Sequence, residues 1–280
     1  MIDIVTVVFE QEIPVLRAQA QSLALYGQKL GIRNIYVVLN DSETIASQID
    51  SAWWGPLANT VLVIPRTAFS TPFVENGWVS QQVLKLLAAS MSYNTHSMIM
   101  DAKSLLVKEI DPAEFISDTG QIHTGLLDIY PVFEPSRKIT SELFDIDLKK
   151  QLGPGGVPFI MHNDTVRMMI AETTIRTKTS FPYWFQQQGM LTEFILYSGF
   201  VQFLCGDLTV LYSDKNKLGT QVNVSHDEVD QWNRKFFQMT RLNTFSVSIH
   251  RIAWKNMLTQ QRNEYKEFLI QRGIEAAADL

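Results

Sequence analysis

Asp101 follows the apolar run Ser97-Met-Ile-Met100 and precedes Lys103 by two residues. An acid that closes a buried strand has two common uses. It can form a turn or cap a helix. It can also turn carboxylate oxygens toward a divalent cation that neutralises a departing phosphate. Lys103, two residues further on, brings an ammonium to the same strand end. Lys85 lies on the preceding helix, either solvated or turned toward the same place. Glu193 opens a mainly apolar helix, where an acid complements the helix dipole or serves as a proton acceptor. His162 and His250 each close an apolar strand, where a packing histidine is the plain alternative to a ligand. Trp184 sits in an aromatic loop, Tyr183-Trp184-Phe185, and core packing is its plain reading.

The elements that must position these groups are legible as strands and helices. Ile2 to Phe9, Asn34 to Asn40, Thr60 to Ile64 and Ser97 to Met100 are short apolar runs suited to strands buried on both faces. Helical patterns separate them, at about Ile13 to Leu30, Asp41 to Ser51 and Asn76 to Met91. On the last, Trp78, Val79, Val83, Leu86, Leu87 and Ser90 are spaced to face a core. Alternating strand and helix predicts a Rossmann-like α/β fold with a mixed, mainly parallel sheet flanked by helices. In open α/β sheets, ligands bind beyond the carboxyl ends of the strands. That rule gathers Phe9-Glu10, Asn40-Asp41, Pro65-Arg66 and Asp101 on one rim.

The second half begins at the turn-rich Gln151-Leu-Gly-Pro-Gly-Gly-Val-Pro158. A short strand to His162 follows, then a helix capped by Asn163. The aromatic loop around Phe181 to Phe185, a helix from Leu191 to Phe203, a strand from Thr244 to His250 and a single charged helix from Trp254 to Gln271 complete the reading. We expect one continuous domain with two halves, 1–150 and 151–280.

Bulk composition removes several classes. The 280 residues are 46% hydrophobic, enough for a large core. A net charge of −5 without a Lys/Arg block argues against nucleic-acid binding. No apolar run approaches the roughly 20 residues of a membrane span, and no signal peptide is expected. The one cysteine, Cys205, allows no internal disulfide and no Cys-based zinc site. A cytoplasmic protein is the expectation. The phosphate loop, the Gly-x-Gly-x-x-Gly turn, the Gly-x-Ser-x-Gly elbow and the His-Glu-x-x-His helix are all missing, which disfavours kinase, dehydrogenase and hydrolase readings.

A family resemblance rests on five segments in order: Gln81-Gln82-Val-Leu-Lys85-Leu86, Asp101-Ala-Lys103, Phe159-Ile-Met-His162, Glu193-Phe-Ile-Leu-Tyr197 and Ser248-Ile-His250-Arg251. In these the chain resembles GT-A glycosyltransferases, and within them a group of microbial and viral proteins. The resemblance implies transfer of a hexose from a nucleotide sugar, expected to be a UDP-sugar, to a glycan or small hydroxyl acceptor. The topology of the strand ends sets Thr6, Val7, Asn40 and Arg66 around the nucleotide, and the resemblance adds Gln81, Gln82, Lys85, Lys103 and Arg251 to the donor site. Asp101 and His250 would hold Mn²⁺ or Mg²⁺, with Lys85 on the diphosphate and Arg251 or Lys255 on the leaving phosphate. His162, Asp164 and Trp184 would meet substrate. Glu193 would be the base of an inverting transfer, with Asp164 and Glu172 ranked behind it, and retention stays open. Asp101-Ala-Lys103 departs from the Asp-x-Asp triplet of such enzymes. It leaves two alternatives standing: a non-catalytic binding module of the same fold, and a metal-independent transferase that uses Lys103. Oligomeric state is left open.

Overall fold

The computed structural model describes every residue except 70–72, 74, 75, 154–156, 215–219, 226 and 242. The chain starts with β1 (Ile2–Val8), α1 (Ile13–Tyr26), β2 (Ile32–Leu39), β3 (Val61–Pro65), α2 (Gly77–Met91) and β4 (His96–Asp101). Next come β5 (Leu105–Leu106), β6 (Ile122–Thr124), β7 (Leu126–Asp128), α3 (Glu134–Phe144), β8 (Lys150–Leu152) and β9 (Phe159–His162). The remainder is α4 (Asn163–Thr177), α5 (Phe181–Gln187), α6 (Glu193–Cys205), β10 (Tyr212–Asp214), β11 (Thr220–Val224), α7 (Trp232–Met239), β12 (Thr244–Ile249), α8 (Arg251–Asn256) and α9 (Thr259–Ile270).

The main sheet has five strands in the order β3-β2-β1-β4-β9. All neighbours are parallel except β4 and β9. Every residue of β1 is buried, because helices cover both faces of the sheet. The register pairs Val8 with Leu39, Leu39 with Pro65 and Val7 with Asp101. The carboxyl ends of β1 to β4 are therefore level, and the residues just past them form the rim expected from the sequence.

A second sheet, β11-β12-β5, is joined to the first through the turn after Asp101. β12 runs parallel to β11 and antiparallel to β5. Its own core includes Trp232, Met239, Val247, Tyr265 and Leu269. The turn itself is pinned from α1. Buried Gln19 donates from Nε2 to the Asp101 carbonyl at 2.6 Å and to the Ser104 carbonyl at 3.1 Å. The Ser104 amide closes the turn on the Asp101 carbonyl at 2.8 Å. Side chains at 101 and 103 are thus fixed at the junction of two sheets.

Four local expectations are corrected. Phe181 to Phe185 is helical, with Pro182 in the first turn, where its missing N–H costs no hydrogen bond. Asn163 is the first helical residue rather than the cap, because its side-chain amide donates to Ser92 Oγ at 2.8 Å and the Asn94 carbonyl at 2.7 Å. The carboxy-terminal helix is two helices, α8 and α9, with extended backbone at Met257 and Leu258 between them. The stretch after Asp41 forms short 3₁₀ turns. Positions 154–156 of the turn-rich break lie outside the described residues.

Candidate active site

A cleft of about 1180 Å³ opens along the level strand ends. Asp101 lies on its floor with both carboxylate oxygens engaged. Oδ1 accepts from Lys85 Nζ at 2.7 Å, and Oδ2 from Lys103 Nζ at 2.8 Å. Gln81 Nε2 reaches Oδ1 at 3.4 Å. Lys85 also binds Glu193 Oε1 at 3.0 Å. The Glu193 backbone N–H donates to Gln82 Oε1 at 3.1 Å, which ties the head of α6 to α2.

The local sequence explains this convergence. Gln81 and Lys85 are four residues apart and share one face of α2. Asn76 starts that helix, its Oδ1 accepting the N–H groups of Trp78 and Val79. Asn40 then orients the helix head on the sheet. Its Nδ2 donates to the Gly77 carbonyl at 3.0 Å, and Ser80 Oγ donates to its Oδ1 at 2.7 Å. Arg66 Nη1 donates to the Asn40 carbonyl at 2.8 Å. Thr192 caps α6 by accepting the Ile195 N–H, and this leaves Glu193 in the first turn, facing Lys85.

Burial governs the charges. It would depress the Lys85 ammonium, but the Asp101 and Glu193 charges more than offset that and hold its pKa above the ordinary lysine value. For Asp101, burial acts upward and is overcome by Lys103 and Lys85, so the carboxyl titrates well below the usual range. Glu193 goes the other way. Burial raises its pKa, and the Lys85 charge reverses this only in part.

Ten of the residues expected at the site line this cleft together: Asn40, Arg66, Gln81, Gln82, Lys85, Asp101, Lys103, Glu193, His250 and Arg251. Phe9 and Asp41 line it as well. Others lie elsewhere. Thr6 and Val7 are fully buried within β1 between its neighbouring strands, so it is Phe9 that reaches the opening. His162 packs against His96, with ring centres 4.5 Å apart, and against Tyr212. Asp164 is exposed and pairs with Arg167 one turn on. Trp184 packs on the main core, and Glu172 pairs with Arg176.

The cleft also contains groups the sequence did not single out. Glu12 lines it, accepting the Phe9 N–H at 3.2 Å, and its pKa is raised by burial against the opposing charge of Lys103. Trp78, placed in the core by its spacing, is 41% exposed at the cleft wall. Asn223 and Ser248 arrive on β11 and β12, hydrogen-bonded to one another at 2.9 Å. Glu12, Lys103 and Arg251 are shared with a smaller cavity of about 270 Å³ that has Trp254 and Tyr265 in its wall.

The resemblance to GT-A glycosyltransferases implies a divalent cation held by Asp101 and His250, and the donor set does not fit one. Each Asp101 oxygen is taken by an ammonium group. His250 turns Nδ1 to the Ile252 N–H at 3.3 Å as the cap of α8. Among the described residues, no group of three or more His, Cys, Asp or Glu side chains is placed to hold a metal ion.

Residues 10–268 match the family described as "Family of unknown function (DUF6492)". The chain belongs to that family. No curated protein matches the sequence. Among solved structures, the galactosyltransferase LgtC, in complex with donor and acceptor sugar analogs, is 11% identical. That alignment covers 96% of this chain and 95% of LgtC, with a TM-score of 0.51. The glycosyltransferase GlyE of Streptococcus pneumoniae TIGR4 is 12% identical, over 99% of this chain and 62% of its own, with a TM-score of 0.49. Mouse xyloside xylosyltransferase 1 is 11% identical, over 88% and 97%, with a TM-score of 0.41. The LgtC likeness extends nearly end to end in both chains, so the fold of this DUF6492 member is that of a GT-A glycosyltransferase. No helix among the described residues is long and apolar enough to cross a membrane.

Proposed function

We propose that the cleft binds a nucleotide sugar and that the protein transfers its sugar to a hydroxyl acceptor. The observation that carries this reading is the Lys85–Asp101–Lys103 cluster, set at the strand ends of a GT-A sheet in a cleft that Arg66 and Arg251 also line. A cleft of about 1180 Å³ exceeds the roughly 300–1,000 Å³ typical of a single small-molecule site, which leaves room for donor and acceptor together. Phe9 and Trp78 offer aromatic surface to a nucleobase, and the cations lie where a diphosphate would follow.

In the transfer, the acceptor oxygen bonds to the anomeric carbon and the bond from that carbon to the diphosphate oxygen breaks. The nucleoside diphosphate leaves with the electron pair, stabilised by the cations. The acceptor proton goes to a carboxylate, and Glu193 is the base we propose, giving inversion. Its raised pKa suits proton exchange nearer neutrality than an ordinary Glu. A hexose and a UDP carrier are the finer form of the same proposal.

The test is a screen for nucleoside diphosphate release from UDP-glucose, UDP-galactose and GDP-mannose, each with and without candidate acceptors. Release from at least one donor is the expected result. Absence of binding by every nucleotide sugar overturns the proposal, and binding without release makes the protein a non-catalytic module. With an active donor in hand, Glu193→Gln is expected to lower kcat by roughly 10²- to 10⁴-fold at nearly constant donor KM. A raised KM at constant kcat would instead make Glu193 an anchor for Lys85.

A further inference from the structure

Four charges form an alternating row into the cleft: Glu193, Lys85, Asp101 and Lys103. Their side chains are 2%, 5%, 16% and 24% exposed in that order. The row therefore starts in the core and ends at the opening on a cation. Each inner member fixes the next. Glu193 holds Lys85, Lys85 occupies one oxygen of Asp101, and the other oxygen holds Lys103.

From this row, and resting on the nucleotide-sugar reading, we infer that Lys103 stands in for the divalent cation, so that the donor diphosphate is bound without metal. A divalent ion owes its place in such a site to two positive charges next to a carboxylate and a diphosphate. Lys85 and Lys103 bring two positive charges to the same carboxylate. The Gln19-pinned turn fixes the backbone under Asp101 and Lys103, and the Asp101 oxygen fixes the ammonium. Lys103 is thus presented as a positioned charge rather than a solvated side chain. Arg251 lines the same wall and adds a fork of N–H donors suited to phosphate oxygens. A metal ion approaching Asp101 would have to displace one ammonium and then remain beside the other at contact distance. The site as built opposes its entry.

Calorimetric titration of the full chain with UDP and GDP, in EDTA and in Mn²⁺, tests the inference. The nucleoside diphosphate that binds is expected to do so equally, within about twofold, in both conditions. Lys103→Ala is expected to lose at least tenfold in affinity in EDTA. Lys103→Asp is expected to lose binding in EDTA and to regain it in Mn²⁺, because it restores an acid pair. Wild-type binding that requires Mn²⁺ overturns the inference while leaving the donor-site reading intact. So does Lys103→Ala binding as tightly as wild type, or Lys103→Asp staying silent in Mn²⁺. Failure of every nucleotide to bind in either condition removes the donor-site reading as well.

Discussion

Two aspartates on adjacent strands of one sheet, Asp3 buried and Asp101 partly so, meet opposite fates. Asp3, near the start of β1, is fully buried. It accepts the Asn34 backbone N–H at 2.9 Å, the Asn34 amide at 3.2 Å and the Asn94 amide at 2.6 Å, and Ser92 Oγ also donates to it. Asp101, at the end of β4, is satisfied by two lysines beside an open cleft. Neutral amides at the closed end satisfy a carboxylate locally and join loops to strands. Ammonium groups at the open end neutralise it while carrying charge of their own, which an anionic ligand can use. The difference shows that a buried acid reads as functional through the exchangeability of its partners, not through burial alone.

Exchanging the two positions for alanine is the strongest way to break this comparison. Asp3→Ala leaves several buried donors without an acceptor and is expected to cost about 3 kcal/mol in urea unfolding, with donor turnover per folded molecule unchanged. Asp101→Ala is expected to reduce turnover on the order of 10²-fold or more, because Lys103 and Lys85 lose the group that aims them. Its stability loss should be smaller, since Lys85 keeps Glu193. Equal effects of the two variants on both measurements would erase the distinction.

Acid sharpens it. His96 pairs with His162 in the register of β4 and β9, at the closed end of the sheet. Neither Nε2 has a hydrogen-bond partner among the described residues. Burial, then the neighbouring His162 and the amino terminus, pushes the His96 pKa down to about 4. Burial also lowers His162. Both histidines are more readily protonated in the unfolded chain, where the pKa is about 6.5. The unfolded state therefore binds more protons between about pH 6.5 and pH 4, and stability falls as pH drops through that window. The expected loss is roughly 1–3 kcal/mol, and His96→Asn should flatten it. Asp101 titrates below this window, so its pairs with Lys85 and Lys103 persist through it in the folded fraction, whereas Glu193, whose pKa burial raises, takes up its proton earlier. Burial raises the pKa of Glu193 and Glu12 and acts in the opposite sense, so the deciding comparison is with the variant: a pH dependence from pH 7 to 4.5 that is the same in His96→Asn as in wild type would contradict this assignment.

The sequence carried the main sheet because β1, β4 and most of β2 are buried on both faces, and such strands are near-continuous apolar runs; β3, read the same way, is the edge strand and is only partly buried, with Leu62 exposed. It carried α2 because Val79, Val83, Leu86 and Leu87 recur at helical spacing. It misjudged Phe181 to Phe185, where the aromatic content hid a short helix started by a proline. It misjudged Asn163, whose amide is taken by Ser92 and Asn94, partners roughly 70 positions earlier in the chain. Trp78 fits a core-facing helical stripe, and spacing alone does not tell a core from a cleft wall. In the site, the level strand ends gave the rim, and with it Asn40, Arg66 and Asp101. The Lys85–Glu193 pair joins residues 108 apart, a distance that no local pattern encodes. Glu12 was legible only as an acid before a proline-led helix. Its place in the same cavity walls as Lys103 and Arg251 depends on how the two sheets meet.

Two glycines repeat the contrast between core and cleft on a smaller scale. At Gly199, inside α6, a Cβ would lie 2.1 Å from Thr140 Cγ2 on α3. Thr140 is fully buried, so the helices must separate, and Gly199→Ala is expected to cost roughly 1–3 kcal/mol without changing ligand affinity. At Gly77, the first residue of α2, a Cβ would lie 2.6 Å from Phe9 Cε1. The Phe9 ring borders the cleft and can turn into it, while alanine favours the helix by up to about 1 kcal/mol over glycine. Gly77→Ala is therefore expected to leave the unfolding midpoint nearly unchanged and to weaken nucleotide binding a few-fold, read by calorimetry. A large stability loss with unaltered affinity would place Phe9 in the core and remove it from the donor wall.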